Sequence, residues 1–369
     1  MGVSSSKPLK KSIHENIKSK YILQVIFANL REKKLLKLIK YNKNIQSKLN
    51  RDINDYIKYY EYNKKIIIEI ITISKNYKNY FIKYKEEDER YFHIYFNNEK
   101  EEILLCKNYF DYDKNVTKIK IIIDEQITSF EGLFSECICI EKINFIKFNR
   151  KDITNMSYMF YECKSLKEIN FYNFNTTNVT DMSNMFFGCT SLKKLYLKKF
   201  NTNNVTDMSN MFFECSSLEK LNLYNFNTIK VTDMCSMFCE CSSLEKLNLY
   251  NFNTTNVTDM SSMFFGCTSL EKLYIKNFNT INVINMSFIF GNCLSLKYLN
   301  LNNFNTNNVT NMSSMFDNCE SLEVLHIDNF NTVNVTDMRG MFWGCSYELE
   351  KKIRNLNLNI KEEAFHTYY

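Results

Sequence analysis

Short runs along most of this chain alternate leucine with polar residues, and each run is followed by an apolar pattern of longer period. In the clearest instance Leu195 and Leu197 alternate with Tyr196 and Lys198, the period-two signature of a strand with one buried face. Met208, Met211, Phe212 and Cys215 then fall at i, i+3, i+4 and i+7, which predicts one apolar face of a short helix. Asp207, preceded by Thr206, stands at the helix N-cap, where its carboxylate can accept the first free backbone N–H groups. Phe200-Asn201-Thr202 reads as the turn between the two elements. The predicted unit is strand, turn and helix.

This unit recurs without a change in length. Cys137, Cys163, Cys189, Cys215, Cys241, Cys267, Cys293, Cys319 and Cys345 each follow the one before by 26 residues. A valine column (Val179 through Val335) and a methionine column (Met156 through Met338) keep the same register. The only proline is Pro8, so none interrupts a repeat. A fixed period of this size marks a solenoid, in which each unit buries its apolar side only against its neighbours. The predicted fold class is an α/β solenoid with parallel strands on its concave side, preceded by a small helical and β-rich N-terminal domain.

Five segments follow from the shifts in pattern. Residues 1–11 are polar and basic, and 12–60 carry helical spacing (Ile13, Ile17, Tyr21; Ile22, Val25, Ile26, Leu30). Residues 61–118 form a β-rich linker or cap, with strand-like runs at Lys65–Ile73, Tyr80–Tyr84, Arg90–Phe96 and, reaching into the repeats, Lys118–Ile123. The repeats occupy 119–346, and 347–369 depart from the period and cap the far end. The charged stretch Lys85–Arg90 reads as a solvated loop.

The phrase Asn-Val-Thr-Asp-Met-Ser-x-Met-Phe-x-x-Cys-x-Ser-Leu, at Asn178 to Leu192 and again at Asn256 to Leu270, resembles the repeats of BspA-like leucine-rich-repeat surface proteins. The resemblance covers roughly residues 130 to 346. It implies a leucine-rich-repeat-type fold and a role in protein binding or adhesion, with a secreted or surface location. A fainter resemblance, at Tyr21 to Leu30 followed by Leu35, Leu36 and Leu38, is to the F-box. That segment would make the chain a substrate adaptor of a ubiquitin ligase, although the usual Leu-Pro opening is missing; a plain helical bundle is the simpler reading.

Charge changes the picture at one end. In residues 1–50 eleven Lys and one Arg stand against Glu15 and Glu32, a net +10, whereas the whole chain carries +6 and its remainder is therefore acidic. No apolar run is long enough to span a bilayer, and no secretory leader is visible. Met1-Gly2-Val3-Ser4-Ser5-Ser6 matches the N-myristoylation pattern, with Gly2 as acceptor. One acyl chain holds a membrane only marginally, so a second signal is needed. Lys7, Lys10 and Lys11 supply it against an anionic leaflet. The expected location is the cytosolic face of a membrane, with the cell surface as the alternative. Sequons at Asn178, Asn204, Asn256, Asn308 and Asn334, each in the turn before a predicted helix, would be heavily glycosylated on a eukaryotic secretory route.

Candidate chemistry is sparse. The cysteine column reads as a buried stripe beside Met and Phe, because no Cys-x-x-Cys pair or histidine accompanies it for a metal. Cys235 and Cys239, one helical turn apart in the predicted helix, are a conceivable local redox or metal pair. His14, His93, His326 and His366 are scattered, and no Gly-rich phosphate loop or paired acidic motif is present, so no catalytic centre or cofactor is expected. Asp181, Asp207, Asp233, Asp259 and Asp337 are read as helix caps.

Binding is better supported. Outward strand positions form two columns, Asn170, Tyr196, Asn222, Asn248, Tyr274, Asn300, His326 and Tyr172, Lys198, Tyr224, Tyr250, Lys276, Asn302, Asp328. Tyrosine offers large contact area at low entropic cost and asparagine adaptable hydrogen bonds. Tyr172, Tyr196, Tyr224, Tyr250, Tyr274, Lys198 and Lys276 are therefore the candidate contacts for a protein partner. A lysine ladder at Lys194, Lys220, Lys246 and Lys272 is taken to be neutralised by Glu219, Glu245 and Glu271, so no nucleic-acid partner is expected.

Overall fold

The computed structural model describes residues 40, 43–49, 53–73, 79–97, 108–110, 116–356 and 358–366. They fall in two compact units, one within residues 1–65 and one within 66–369. The first contributes two helices, α1 (Lys43–Leu49) and α2 (Ile53–Lys64). Gly2, Lys7, Lys10, Lys11 and the F-box-like stretch 21–38 lie outside the described residues.

The second unit opens with a sheet of five strands in the order β3-β5-β1-β6-β7. These are β1 (Ile66–Thr72), β3 (Phe92–Phe96), β5 (Lys118–Ile123), β6 (Ile140–Lys147) and β7 (Glu168–Asn170). The two-residue strands β2 (Asn79–Tyr80) and β4 (Tyr109–Phe110) pair separately. The charged stretch expected to be a loop is a 3-10 helix, Glu86–Tyr91. Strand β6 is antiparallel to β1 on one side and parallel to β7, 26 residues on, at the other. The boundary expected at residue 118 is thus not one. It coincides with the start of β5, inside a sheet shared by the β-rich segment and the first repeats. The reason is an edge: an isoleucine-rich strand beside β6 covers backbone groups that the first repeat would leave unpaired.

Beyond β7 each repeat holds one strand of two or three residues. They are β8 (Lys194–Leu195), β9 (Lys220–Leu221), β10 (Lys246–Asn248), β11 (Lys272–Tyr274), β12 (Tyr298–Asn300) and β13 (Val324–His326). Paired strands are parallel and in register, so Lys194 faces Lys220, Leu247 faces Leu273 and Asn300 faces His326.

The helix expected in every repeat does not form; among the described residues none lies between β5 and Tyr347. Met208 to Cys215 instead makes a chain of overlapping turns. Met211, Phe213 and Cys215 donate their N–H to the carbonyls of Met208, Asn210 and Phe212, three residues back. The intervening Met208, Asn210, Phe212 and Glu214 donate theirs to Asp233, Cys235, Met237 and Cys239 of the next repeat at 3.2, 2.9, 2.9 and 2.8 Å. A helix would spend those four donors within itself; here the neighbouring repeat offers an acceptor at every second residue. Turning alternate N–H groups outward requires left-handed backbone at Asn210 (φ 54°) and Glu214 (φ 54°), as at the third residue of a type II turn. The same two positions are left-handed in every repeat, from Gly132 and Glu136 through Gly340 and Gly344. The apolar set expected to be a helix face still points inward: Met208, Met211, Phe212 and Cys215 are wholly buried.

Stacking repeats this way places like on like. Phe134, Phe160, Phe186, Phe212, Phe238, Phe264, Phe290, Phe316 and Phe342 form one column, with ring centroids from 5.4 to 5.8 Å apart and rings nearly parallel. Each such contact adds about 0.5–1.5 kcal/mol beyond burial. A buried threonine column stitches the repeats on another side: Thr202 Oγ1 donates to the Asn227 carbonyl at 2.9 Å and accepts its N–H at 2.8 Å. At the far end Gly340 and Phe342 donate to Glu363 and Ala364 as though to a further repeat, and Phe365 stacks on Phe342 at 5.5 Å. Helix α3 (Tyr347–Arg354) leads into this closure, and Arg354 lies 3.7 Å over the Phe365 ring while gripping Glu362.

Turn and helix answer one substitution in opposite ways. Asn210→Ala should lower stability by about 1 kcal/mol, since left-handed backbone disfavours Cβ-bearing residues without a short polar side chain, while Asn210→Gly should not. A helix would gain from the alanine and lose from the glycine. Urea denaturation of the two variants measures the order.

Candidate interaction surface

Strand pleating puts the leucines inward and the residues on either side of them outward. Tyr172, Tyr196, Tyr224, Tyr250 and Tyr274 are all exposed, from 43% at Tyr274 to 74% at Tyr196, and Lys198 and Lys276 are exposed beside them. In-register pairing sets neighbouring rows about 4.8 Å apart. The residues group in clefts. Tyr172, Tyr196 and Lys198 share one of about 650 Å³, and Tyr224 and Tyr250 share another of about 630 Å³. Tyr274 lies under Lys246, whose Nζ is 5.3 Å from the ring centre.

Two expectations about this face need correction. The asparagines of the first column are committed to the backbone: Oδ1 of Asn170, Asn222 and Asn248 accepts the N–H of Tyr172, Tyr224 and Tyr250 at 3.0, 3.1 and 3.0 Å. They are Asx turns that bend the chain after the strand and so aim the following tyrosine. The spacing Asn-x-Tyr was the available signal. The lysine ladder, in turn, is not neutralised by ion pairing. Lys220, Lys246 and Lys272 make no salt bridge with Glu219, Glu245 or Glu271, because side chains of adjacent exposed residues diverge; Glu219 reaches Lys193 instead, at 3.6 Å.

The turn side carries a feature that the sequence reading passed over. Tyr161, Phe187 and Phe213 stack face to face at 4.7 and 4.4 Å and are only half-buried. Their signal was the doubled aromatic in Met-Phe-Phe at 185–187 and 211–213.

The predicted capping aspartates do accept backbone N–H groups, but across turns: Asp207 Oδ1 takes the N–H and hydroxyl of Ser209 at 2.8 and 2.7 Å. Burial, and then the Asp207 and Asp259 carboxylates above and below, hold the Asp233 carboxyl above its usual range. Sequon asparagines Asn204, Asn256, Asn308 and Asn334 use their amides to bind carbonyls of the preceding repeat, at 2.7 to 3.0 Å.

The column cysteines are free thiols. Cys215 Sγ donates to the Phe186 carbonyl at 3.2 Å, and Cys163 through Cys345 repeat this contact. That carbonyl already accepts the N–H of Cys189, so the thiol fills its second lone pair. Cys235 and Cys239 do not share a helix face, since there is no helix. Cys235 contacts the Ser236 and Ser261 hydroxyls at 3.4 and 3.3 Å, whereas Cys239 is buried in the column of Phe213 and Phe265. Among the described residues no group of three or more His, Cys, Asp and Glu is placed to hold a metal, and no helix is long and apolar enough to cross a membrane.

Burial pushes the Cys215 thiol up to about 12 from its ordinary 9.0. The unfolded chain gives up this proton near pH 9.0 while the folded chain keeps it, so stability is full below that pH and is lost as pH rises toward about 12. Cys215→Ala should therefore flatten the alkaline decline in unfolding free energy by up to about 1.4 kcal/mol per pH unit. Urea titrations at successive pH values above 9.0 read the slope.

The family described as "Mycoplasma protein of unknown function, DUF285" matches the chain in five overlapping stretches, residues 105–195, 128–248, 166–273, 193–297 and 240–356. Together they cover more than half of the chain. No curated protein matches it. Among solved structures, a leucine-rich repeat protein from Bacteroides ovatus ATCC 8483 is similar at 15% identity, over 75% of this chain and 98% of that one. Its TM-score of 0.29 is too low for that likeness to carry an argument.

Proposed function

This chain belongs to the DUF285 family, and we propose that it is a non-enzymatic scaffold of the BspA-like leucine-rich-repeat type, a solenoid that binds a protein partner on its strand face. The carrying observation is the set of exposed tyrosines in fixed rows, each aimed by an Asx turn at its base in three of the repeats. Rings held this way lose little freedom on binding, which favours affinity. The residues assigned to the contact are Tyr172, Tyr196, Tyr224, Tyr250, Tyr274, Lys198 and Lys276.

A membrane tether belongs to the same reading: a myristoyl group on Gly2, with Lys7, Lys10 and Lys11 against anionic lipid, holds the scaffold at the cytosolic face. Intact-mass measurement of the native N-terminus tests it, and an unmodified or acetylated Gly2 rejects it. Surface adhesion, the family-type alternative, is read by protease treatment of intact cells, which would cleave the chain only if it lay outside.

Replacing Tyr224, Tyr250 and Tyr274 together by Ala should abolish capture of the bound partner while leaving the melting temperature within a few degrees, since all three are exposed. A photo-reactive residue at Tyr224 should cross-link that partner, and one at Phe213 on the turn side should not. Unchanged capture, or cross-links from the turn side alone, refutes the strand face.

A further inference from the structure

The two large clefts on the strand face have nearly the same volume, about 650 and 630 Å³, and differ in charge. The cleft over Tyr224 and Tyr250 is balanced, with Glu219 and Glu245 against Lys220 and Lys246. The other, with Lys167 and Glu168 at its edge already paired to Glu141 and Lys142, brings Lys193, Lys194, Lys198 and Lys199 around Tyr172 and Tyr196. All four lysines come from one repeat and are exposed. Lys193 has only the long contact to Glu219 at 3.6 Å, and Lys199 lies 5.9 Å from the centre of the Tyr172 ring. Lys194 and Lys198 make no ion pair among the described residues.

One of these lysines replaces a structural residue. At the position of Lys199 the repeats on either side carry Asn173, Asn225, Asn251, Asn277, Asn303 and Asn329, and each of those amides donates to a carbonyl of the preceding repeat, at 2.7 to 2.9 Å. The repeat of Lys199 gives up that stitch and gains a fourth cation in a cluster that repels itself. A departure from an otherwise uniform structural rule, offset locally only by the contact of Lys199 with the Tyr172 ring, is the mark of a functional position.

We propose that this cleft is the receptor for an acidic peptide segment of the protein partner, a deepening that rests on the strand-face reading above. The charge pattern along the face selects a peptide over other polyanions. The lysine cluster is followed by balanced rows around Tyr224 and Tyr250 and then by Lys272, Lys276 and Lys297, and the face ends in Glu323 and Asp328. Nucleic acid and anionic lipid carry one sign throughout and would meet repulsion at that end. A polypeptide can carry both signs, acidic at the lysines and basic only at the Glu323 and Asp328 end, and so match the whole face. Strands β7 and β8, which border the cleft, are not hydrogen-bonded to each other. Recognition through side chains places carboxylates at Lys194 and Lys198 and an apolar or aromatic residue between Tyr172 and Tyr196.

The probe is a twelve-residue fluorescein-labelled peptide of alternating Glu and Tyr, added to the full chain. Anisotropy should show binding that weakens on the order of tenfold or more in the double variant Lys194→Glu, Lys198→Glu, and also on raising salt. The double variant Lys220→Glu, Lys246→Glu makes the same change in net charge at the balanced cleft and should stay within about twofold. Carbodiimide coupling of the bound peptide should concentrate on Lys193, Lys194, Lys198 and Lys199. Equal loss in both variants, coupling spread over all exposed lysines or confined to residues 1–50, or a single-stranded oligonucleotide or phosphatidylserine vesicle competing at the same cluster with equal strength, each overturns the proposal. If partner capture depends on Tyr224, Tyr250 and Tyr274 but not on Lys194 and Lys198, the acidic-peptide assignment falls and the strand face stands.

Discussion

Everything in the repeat array depends on one hydrogen bond and its copies, the backbone N–H of a turn residue given to the carbonyl 25 residues ahead. Phe212 to Met237 is one such bond, and Met208, Asn210 and Glu214 make its companions. Because four donors per repeat are spent this way, a repeat cannot lengthen or shorten by one residue without losing the whole set. Each lost bond would leave a buried polar group at about 1–3 kcal/mol. The constant spacing of nine cysteines is the outward sign of that constraint. The same bonds impose left-handed backbone on non-glycine residues such as Asn210, Glu214 and Ser236, at roughly 1 kcal/mol each. Inter-repeat bonding and the buried columns have to outweigh that strain in every unit.

Fixed register also dictates what each column can hold, since every side chain rests on its counterpart one repeat away. Flat rings suit this, and the Phe134-to-Phe342 column runs unbroken until Phe365 closes it. Small groups that bond across the stack suit it as well, which explains Thr202 and Cys215 with their partners one repeat removed. Carboxylates suit it less. Asp181, Asp207, Asp233 and Asp259 follow one another directly, and the column then passes to Asn285 and Asn311 before Asp337. The amide keeps the Asx turn, as Ser313 N–H to Asn311 Oδ1 at 2.9 Å shows, without adding like charge.

The period, the inward columns and the outward tyrosines were legible from composition and spacing, because burial on one side of a repeating unit writes itself directly into residue type. The turns were not. Met208, Met211, Phe212 and Cys215 satisfy a helical template because overlapping turns also bring those positions to one side, and periodicity sees only which side chains are buried. What distinguishes the two is backbone handedness, and its trace lay in glycine. The chain has seven glycines, and Gly132, Gly188, Gly266, Gly340 and Gly344 all sit at the two left-handed positions. Helices in four of the repeats would each have to hold one or two of these glycines, which is unfavourable on propensity alone. The Asx turns under Tyr172, Tyr224 and Tyr250 were hidden for another reason: an asparagine beside a strand reads as exposed polarity until the bend after the strand is known.

A scaffold so constrained can vary only where a column faces water, and a departure elsewhere must be absorbed nearby. The sixth and seventh repeats show such absorption. Phe288 is left-handed at φ 56° where other repeats have Asn, Ser, Gly or, at Tyr158, another aromatic, and its ring meets Phe265 edge-on at 5.8 Å. Gly291 stands beside it in the Phe187 and Phe213 column, where a Cβ would come within 3.0 Å of the Phe265 ring. The three residues change together, and the local packing closes. At Lys199 the amide stitch is gone and only the 5.9 Å approach to the Tyr172 ring replaces it, while Lys194 and Lys198 make no ion pair among the described residues. Where structure explains a departure, nothing further is needed. Where it does so only in part, as at the lysine cluster, opposite charge from a bound partner would complete the balance.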